Sequence, residues 1–514
     1  MAAGILLSRL TGLVRQRVLA HFLGLTAAAD AFAAAFRIPN LLQNLFGEGV
    51  LSASFIPVYA RLQAQGRDRE ARAVAAAVAG LLAVVVAVLV AVGVTAAPLL
   101  ASLVAPGFTD AKRELAVRII RILFPGAGLL VFSAWCLGIL NSHRRFFLSY
   151  AAPVVWNAAI ITATLLPPRG TAAESIVLWT AWGAVAGGLL QVAVQLPVVW
   201  RVNGPFRLGL GRGDPNVRTV LRNFLPAFVG RGVVQLSAFV DSILASFLPT
   251  GAVAALANAQ TLYMLPVSLF GMSVAAAELP EFSAVAAAEN AHGLLRERLE
   301  RSMAQVAFFI VPSAVALAAL GQVIAAAIFQ TGLFSADDAR YVWAILAGSA
   351  VGLLAGSLGR LYSSAWYALH DTRTPLKFAV LRVGLTTVLG YLAAFELPGL
   401  LNLEARWGAA GLTASAGLAG WVEFLLLRRG LDRRIGSTRL SAGYAARLWA
   451  PALLAAAAGW GMLLLLDHRL GPIATALAVL FPFGIVYLAG TLALRVPLAR
   501  RLLGRSPLPP TAGG

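Results

Sequence analysis

Between Val74 and Ala105 the chain runs for 32 residues on Ala, Val, Leu and similar side chains without a single charge. A helix of about 20 apolar residues already spans the hydrocarbon of a bilayer. The run therefore fixes the class of molecule before any other feature is read. Cutting the rest of the chain at its charged and Pro/Gly-rich breaks gives fourteen such segments, numbered here as spans 1 to 14: about 3–23, 28–60, 74–104, 115–140, 146–167, 175–199, 220–248, 252–284, 303–330, 339–368, 377–395, 407–427, 446–466 and 472–496. Charged residues make up only 12% of the chain and hydrophobic ones 59%. A soluble surface carries about twice that share of charge, which excludes a soluble enzyme. The expected fold is an all-α polytopic membrane protein.

Orientation follows from the basic residues, because short cytoplasmic loops retain Lys and Arg. With the N-terminus inside, 26 of the 41 basic residues fall in inside loops, span edges and the C-terminal tail, and 6 fall outside. Both termini are then cytoplasmic. The net charge of +19 is thus mostly topology. It does not point to nucleic acid, which needs its Lys and Arg gathered on one polar face. Arg9, Arg15 and Arg17 interrupt span 1 and argue against a cleavable signal peptide. Cys136 is the single cysteine, so the chain has no internal disulfide or Cys-rich metal site. The five histidines show no metal-ligand spacing. No metal and no cofactor is expected.

Nine basic residues remain inside the spans: Arg9, Arg15, Arg17, Arg37, Arg118, Arg121, Arg231, Arg360 and Arg382. A charge at mid-bilayer costs at least about 2.5–3.5 kcal/mol, so such residues face a cavity or a partner. Arg17, Arg118, Arg121 and Arg360 lie near span ends, where a long side chain snorkels to the interface. Arg9 and Arg15 lie within a third of a turn of each other on span 1. Arg231 and Arg382 are deep in spans 7 and 11. Intramembrane acids include Asp30, which opens span 2, and Asp241 in span 7.

Span 2 is expected to break at Phe36-Arg-Ile-Pro39-Asn40 and again at Phe46-Gly47-Glu48-Gly49, span 8 at Pro266 and at Phe270-Gly271. Broken helices at matching places in two halves point to a transporter's central site. The turn Asn141-Ser-His-Arg-Arg145 after span 4 has a counterpart six spans later in His370-Asp-Thr-Arg-Thr-Pro375. An even shift makes the halves parallel repeats. The expected domains are an N-terminal lobe over 1–200, a C-terminal lobe over 218–430, spans 13 and 14 over 445–497, and a tail over 498–514.

The blocks Ser8-Arg-Leu-Thr-Gly-Leu-Val-Arg15, Ala29-Asp-Ala-Phe32, Ala35-Phe-Arg-Ile-Pro-Asn40, Leu45-Phe-Gly-Glu-Gly49, Phe55-Ile-Pro57 and Ala368-Leu-His-Asp-Thr-Arg-Thr-Pro375 closely resemble the MurJ (MviN) family, lipid II flippases of the MOP exporter superfamily. The likeness covers essentially the whole chain, although the block ahead of Ser8 is shorter than usual. It implies two six-helix lobes in a V shape plus two extra C-terminal helices that form a groove for the lipid tail. It also implies alternating access that moves the peptidoglycan precursor lipid II across the bacterial inner membrane. Membrane lipids and the cell-wall synthesis machinery are the other implied partners, and the chain would work as a monomer. Arg9 and Arg15 match the family's functional arginines of span 1, and Asp30 its acid at the start of span 2. Two departures stand out. Gln43-Asn44 replaces the family's arginine pair, and Thr261 replaces its span 8 arginine. Arg231 and Arg37 are expected to replace the lost diphosphate contacts. Some members bind sodium between an Asp on span 7 and groups on span 11. Asp241 matches the first, but span 11 reads Thr386 and Gly390 with Arg382 nearby, so an Asp241–Arg382 ion pair is expected to stand in for the ion.

Rival readings are another MOP exporter of polyprenyl-linked oligosaccharide, a non-transporting regulator derived from a flippase, and a membrane glycosyltransferase. The last needs an acidic metal cluster, for which Asp337-Asp338 is the only adjacent pair. No P-loop spacing occurs, so ATP does not drive the protein directly.

Overall fold

A computed structural model of the chain describes residues 2–204, 209–211, 213–237, 239–286, 291–466 and 470–502; side chains at 2–6, 47–49, 146, 149–150, 227, 229–237 and 291 are outside the description. Every described element is a helix or a turn. One helix, or a chain of adjoining helices, falls on each of the fourteen expected segments. Among the described residues nine helices are long and apolar enough to cross a membrane, and Ala336–Val351 with Leu353–Ala368, bent by 43°, makes a tenth.

Spans 2 and 8 do not break in the expected way. Pro39 sits inside a continuous helix, Ala27–Gln43, which widens into a π-helix over Asn44–Leu51. Span 8 does the same: Ala252–Pro266 runs into a π-helix over Val267–Met272 and then into Ser273–Ala286. A wider winding absorbs an irregular residue without losing the helix, and such segments gather at functional places. The matched pair of π-helices supports the internal repeat. The two aligned turns share one form, which the helix ends at Asn402 and Arg495 also take: Arg144 and His370, 226 residues apart, both have φ of 59°. In each turn the next residue bonds back five positions, Arg145 N–H to the Leu140 carbonyl and Asp371 N–H to that of Trp366.

The chain divides into two compact units. Unit 1 comprises Met1–Ala254 with Thr331–Phe334, and unit 2 comprises Ala255–Gln330 with Ser335–Gly514. This differs from the expected boundary near 200–218, because span 7 packs into unit 1. Phe46, which is buried, lies 6.1 Å from Phe224 and 5.8 Å from Phe228, ring centre to ring centre, and Gly107 N–H donates to Ser246 Oγ at 3.0 Å. Thr331–Phe334 joins the same unit through His21, whose carbonyl accepts from Leu333 N–H and whose Nδ1 lies 2.8 Å from Thr331 Oγ1.

In unit 2, spans 13 and 14 (Ala442–Leu466 and Pro472–Ala493) share an apolar core with Ala291–Phe329, built on residues such as Phe308, Ala452 and Val479. Tyr487 Oη donates to the Phe308 carbonyl at 2.6 Å. The bend at Gly352 lets the backbone of this segment touch Gly417 on Gly408–Ile435, where a Cβ at Gly417 would lie 2.7 Å from Gly352 N. Backbone cannot yield as a side-chain tip can. Gly417→Ala is therefore expected to lower stability by about 1–3 kcal/mol, read as a lower melting temperature in detergent.

At the turn after span 4, Tyr59 Oη stands 2.9 Å from both His143 Nε2 and Asn203 Oδ1, and Gln63 Nε2 lies 2.6 Å from His143 Nε2. Burial lowers the His143 pKa below its usual 6.5. The unfolded chain then binds the proton more readily, so stability rises with pH through this group. Its contribution is complete above about pH 6.5 and is lost as the pH falls further. Melting temperature is expected to drop between pH 7 and 5.5, and His143→Gln should flatten that slope.

Candidate functional site

Arg15 stands at the centre of the best-formed polar group in unit 1. Its helix, Ala2–Leu23, packs along Phe146–Leu165, which presents Trp156 and Asn157 toward it. Asn157 is 4% exposed; its Oδ1 accepts from an Arg15 terminal nitrogen at 2.8 Å, and its Nδ2 donates to Thr11 Oγ1 at 3.3 Å. The guanidinium carbon lies 5.0 Å from the Phe36 ring centre and 5.6 Å from that of Trp156. Those two rings stack on each other at 5.4 Å with planes 11° apart. Trp156 is fixed in turn by donating from Nε1 to the Ala184 carbonyl at 3.0 Å. The guanidinium is thus held over an aromatic wall by cation–π attraction and aimed by one neutral amide.

What Arg15 lacks is an acid. Among the described residues no carboxylate forms an ion pair with it, and its buried Nε has no hydrogen-bond partner. A guanidinium held this way keeps donors for a planar or tetrahedral oxyanion. Arg37 follows Phe36 on the next helix, is half-buried, and interacts electrostatically with Asp241. Arg9 is exposed. The Arg231 side chain lies outside the described residues, as do those of Gly47, Glu48 and Gly49, whose backbone forms part of the π-helix. Asn40 is half-buried on the last turns before that winding, and Pro266 ends the helix before the second.

Two expectations require correction. Asp30, expected to contact substrate, is fully buried and engaged within the protein: its oxygens accept from Gly251 N–H and Ala254 N–H at 2.8 Å each and from Lys112 Nζ at 2.5 Å. It ties the start of Ala252–Pro266 to span 4. Arg382, expected to pair with Asp241, takes as its acid Glu423 of its own unit, Nε to Oε2 at 3.2 Å. The adjacent acids are occupied as well. Asp338 closes a capping box with Ser335, and Asp337 accepts from Arg406 at 2.8 Å. Among the described residues no group of His, Cys, Asp and Glu is placed to hold a metal. Sequence reasoning missed Phe36, Trp156 and Asn157 as partners of Arg15; an Asn beside a Trp in the middle of an apolar span was the available signal.

The sequence profile of the lipid II flippase MurJ matches residues 19–481. The chain belongs to the MurJ family. A probable lipid II flippase MurJ of Bdellovibrio bacteriovorus is 32% identical over 471 residues, covering 91% of this chain and 86% of that protein. The lipid II flippase MurJ of Burkholderia cenocepacia is 32% identical over 435 residues, covering 84% and 82%. Among solved structures, a lipid II flippase MurJ in an inward closed conformation aligns with a TM-score of 0.78 at 20% identity, over 98% of this chain and 99% of that one. An inward-facing multidrug MATE transporter of the MOP superfamily aligns at 0.68 and 18%, over 83% and 95%. Both share the fold, and the MurJ-like profile places this chain with the transporters of that fold. As a MurJ family member it is a multi-helix membrane protein.

Proposed function

We propose that the protein moves lipid II, a polyprenyl-diphosphate-linked cell-wall precursor, from the inner to the outer leaflet of the bacterial cytoplasmic membrane by alternating access. The observation that carries this reading is Arg15: a guanidinium set inside a membrane span, lying over Phe36 and Trp156, aimed by Asn157 and without an ion-paired acid among the described residues. Such a group suits a diphosphate and repels the organic cations that a drug exporter carries. Arg9, Arg37 and Arg231 serve as further contacts along the path, and the π-helices of spans 2 and 8 give the windings that change as access switches. The polyprenyl tail stays in lipid beside spans 13 and 14, where Leu464, Leu465, Leu477 and Phe481 are all exposed. Both termini face the cytoplasm, and the chain acts as a monomer alongside the cell-wall synthesis machinery.

Expression in a bacterium depleted of its own lipid II flippase tests the reading. Restored growth and cell shape are the expected result. A stably inserted protein that fails to rescue favours the regulator descended from a flippase.

A further inference from the structure

Unit 2 gathers charge of its own far from any helix end. Arg360 lies on Leu353–Ala368, Arg382 on Arg373–Tyr391 and Glu423 on Gly408–Ile435. The first two helices are joined by the turn at His370. Counting back from that turn at 1.5 Å per residue places Arg360 and Arg382 at a similar depth, about 12–13 Å along their helices. Arg360 therefore stands well away from both ends of its helix. It interacts electrostatically with Arg382, Glu423 and Tyr263. The Tyr263 hydroxyl lies 3.8 Å from where a Cβ at Gly356 would sit, one turn before Arg360 on the same helix face.

The count of charges decides what this group does. Arg382 and Glu423 pair at 3.2 Å, which suffices to lock their two helices together. Arg360 is then surplus. It adds a second positive charge at a depth where charge is costly, it is exposed, and Arg382 keeps 42% of its side chain exposed despite its pair. Two accessible guanidiniums and a phenol hydroxyl around one carboxylate leave a net positive charge that an anion would balance. We propose that Arg360, Arg382 and Tyr263 form an oxyanion-binding subsite within unit 2, selective for a phosphate or diphosphate group, with Glu423 as the internal anion that occupies Arg382 when the site is empty. The cluster is built wholly from residues of unit 2, and the inference does not rest on the transport reading.

Isothermal titration of the full chain in detergent, in an Arg15→Ala background that silences the other site, tests this with two probes: inorganic pyrophosphate and undecaprenyl diphosphate. Glu423→Gln removes the competing carboxylate while keeping a hydrogen-bonding group beside Arg382. It is expected to tighten anion binding about tenfold, and Arg360→Gln to weaken it about tenfold, each the size of one charge-assisted hydrogen bond. Melting temperatures identify any variant that fails to fold, and Glu423→Gln alone then decides. A gain with both probes supports a site for the oxyanion from either source; a gain with undecaprenyl diphosphate alone supports a lipid-borne headgroup. Unchanged or weaker binding of both probes by folded Glu423→Gln overturns the proposal and leaves the cluster as a brace between helices.

Discussion

Arg15→Ala is expected to abolish rescue of a flippase-depleted bacterium and to weaken binding of a polyprenyl diphosphate by about 100-fold. That factor corresponds to two charge-assisted hydrogen bonds at the lower end of about 1.5–3 kcal/mol each. The loss should appear in a protein that still folds, because Asn157 and the stacked Phe36–Trp156 pair keep their other contacts. Arg15→Lys sharpens the test. Lysine retains the charge but offers neither the flat fork nor the planar stack, so most of the affinity should still be lost. A lysine variant with full activity would mean that Arg15 acts only as a point charge.

The second large effect falls on folding. Asp30→Ala strips the acceptor from two buried backbone N–H groups and leaves Lys112 without its partner. Breaking a buried, hydrogen-bonded pair costs about 3–5 kcal/mol. A sharply lower melting temperature and poor yield are expected, with Asp30→Asn intermediate because an amide oxygen can still accept. If Asp30→Ala melted like the parent and lost only diphosphate binding, Asp30 would be a substrate contact after all.

These two residues show where sequence reasoning reached and where it stopped. The helical segments were legible because bilayer thickness forces long apolar runs, and the intramembrane arginines because each one breaks a run. Arg15 was one of nine found on that basis, and its role came from the family resemblance, which it shared with Arg9. Its partners could not be found so, since Trp156 and Asn157 are 141 and 142 residues away and only helix packing brings them in. Asp30 was matched to the family's acid at the start of span 2, and its partners were not legible, because a charge near a span start reads identically whether it faces a cavity or caps another helix. Asp241 and Arg382 were matched by span number, whereas Arg382 finds its acid in Glu423 on a helix packed against its own. The breaks at Pro39 and Pro266 were placed well in sequence yet misjudged in kind, because proline and glycine signal an irregular backbone without telling a gap from a π-helix. The compact units divide after span 7 rather than before it, a difference a repeat does not reveal because it fixes which helices correspond and not which unit a helix packs into.

The central claim is that a diphosphate-linked lipid crosses the membrane through a path anchored on Arg15. Its most direct measurement is the movement of lipid II between leaflets of proteoliposomes containing the purified chain or its Arg15→Ala variant, followed by access of an external, membrane-impermeant reagent to the headgroup. The account predicts rapid exposure with the parent and background exposure with folded Arg15→Ala. Equal exposure with both proteins, or none above protein-free liposomes with the parent, would contradict it.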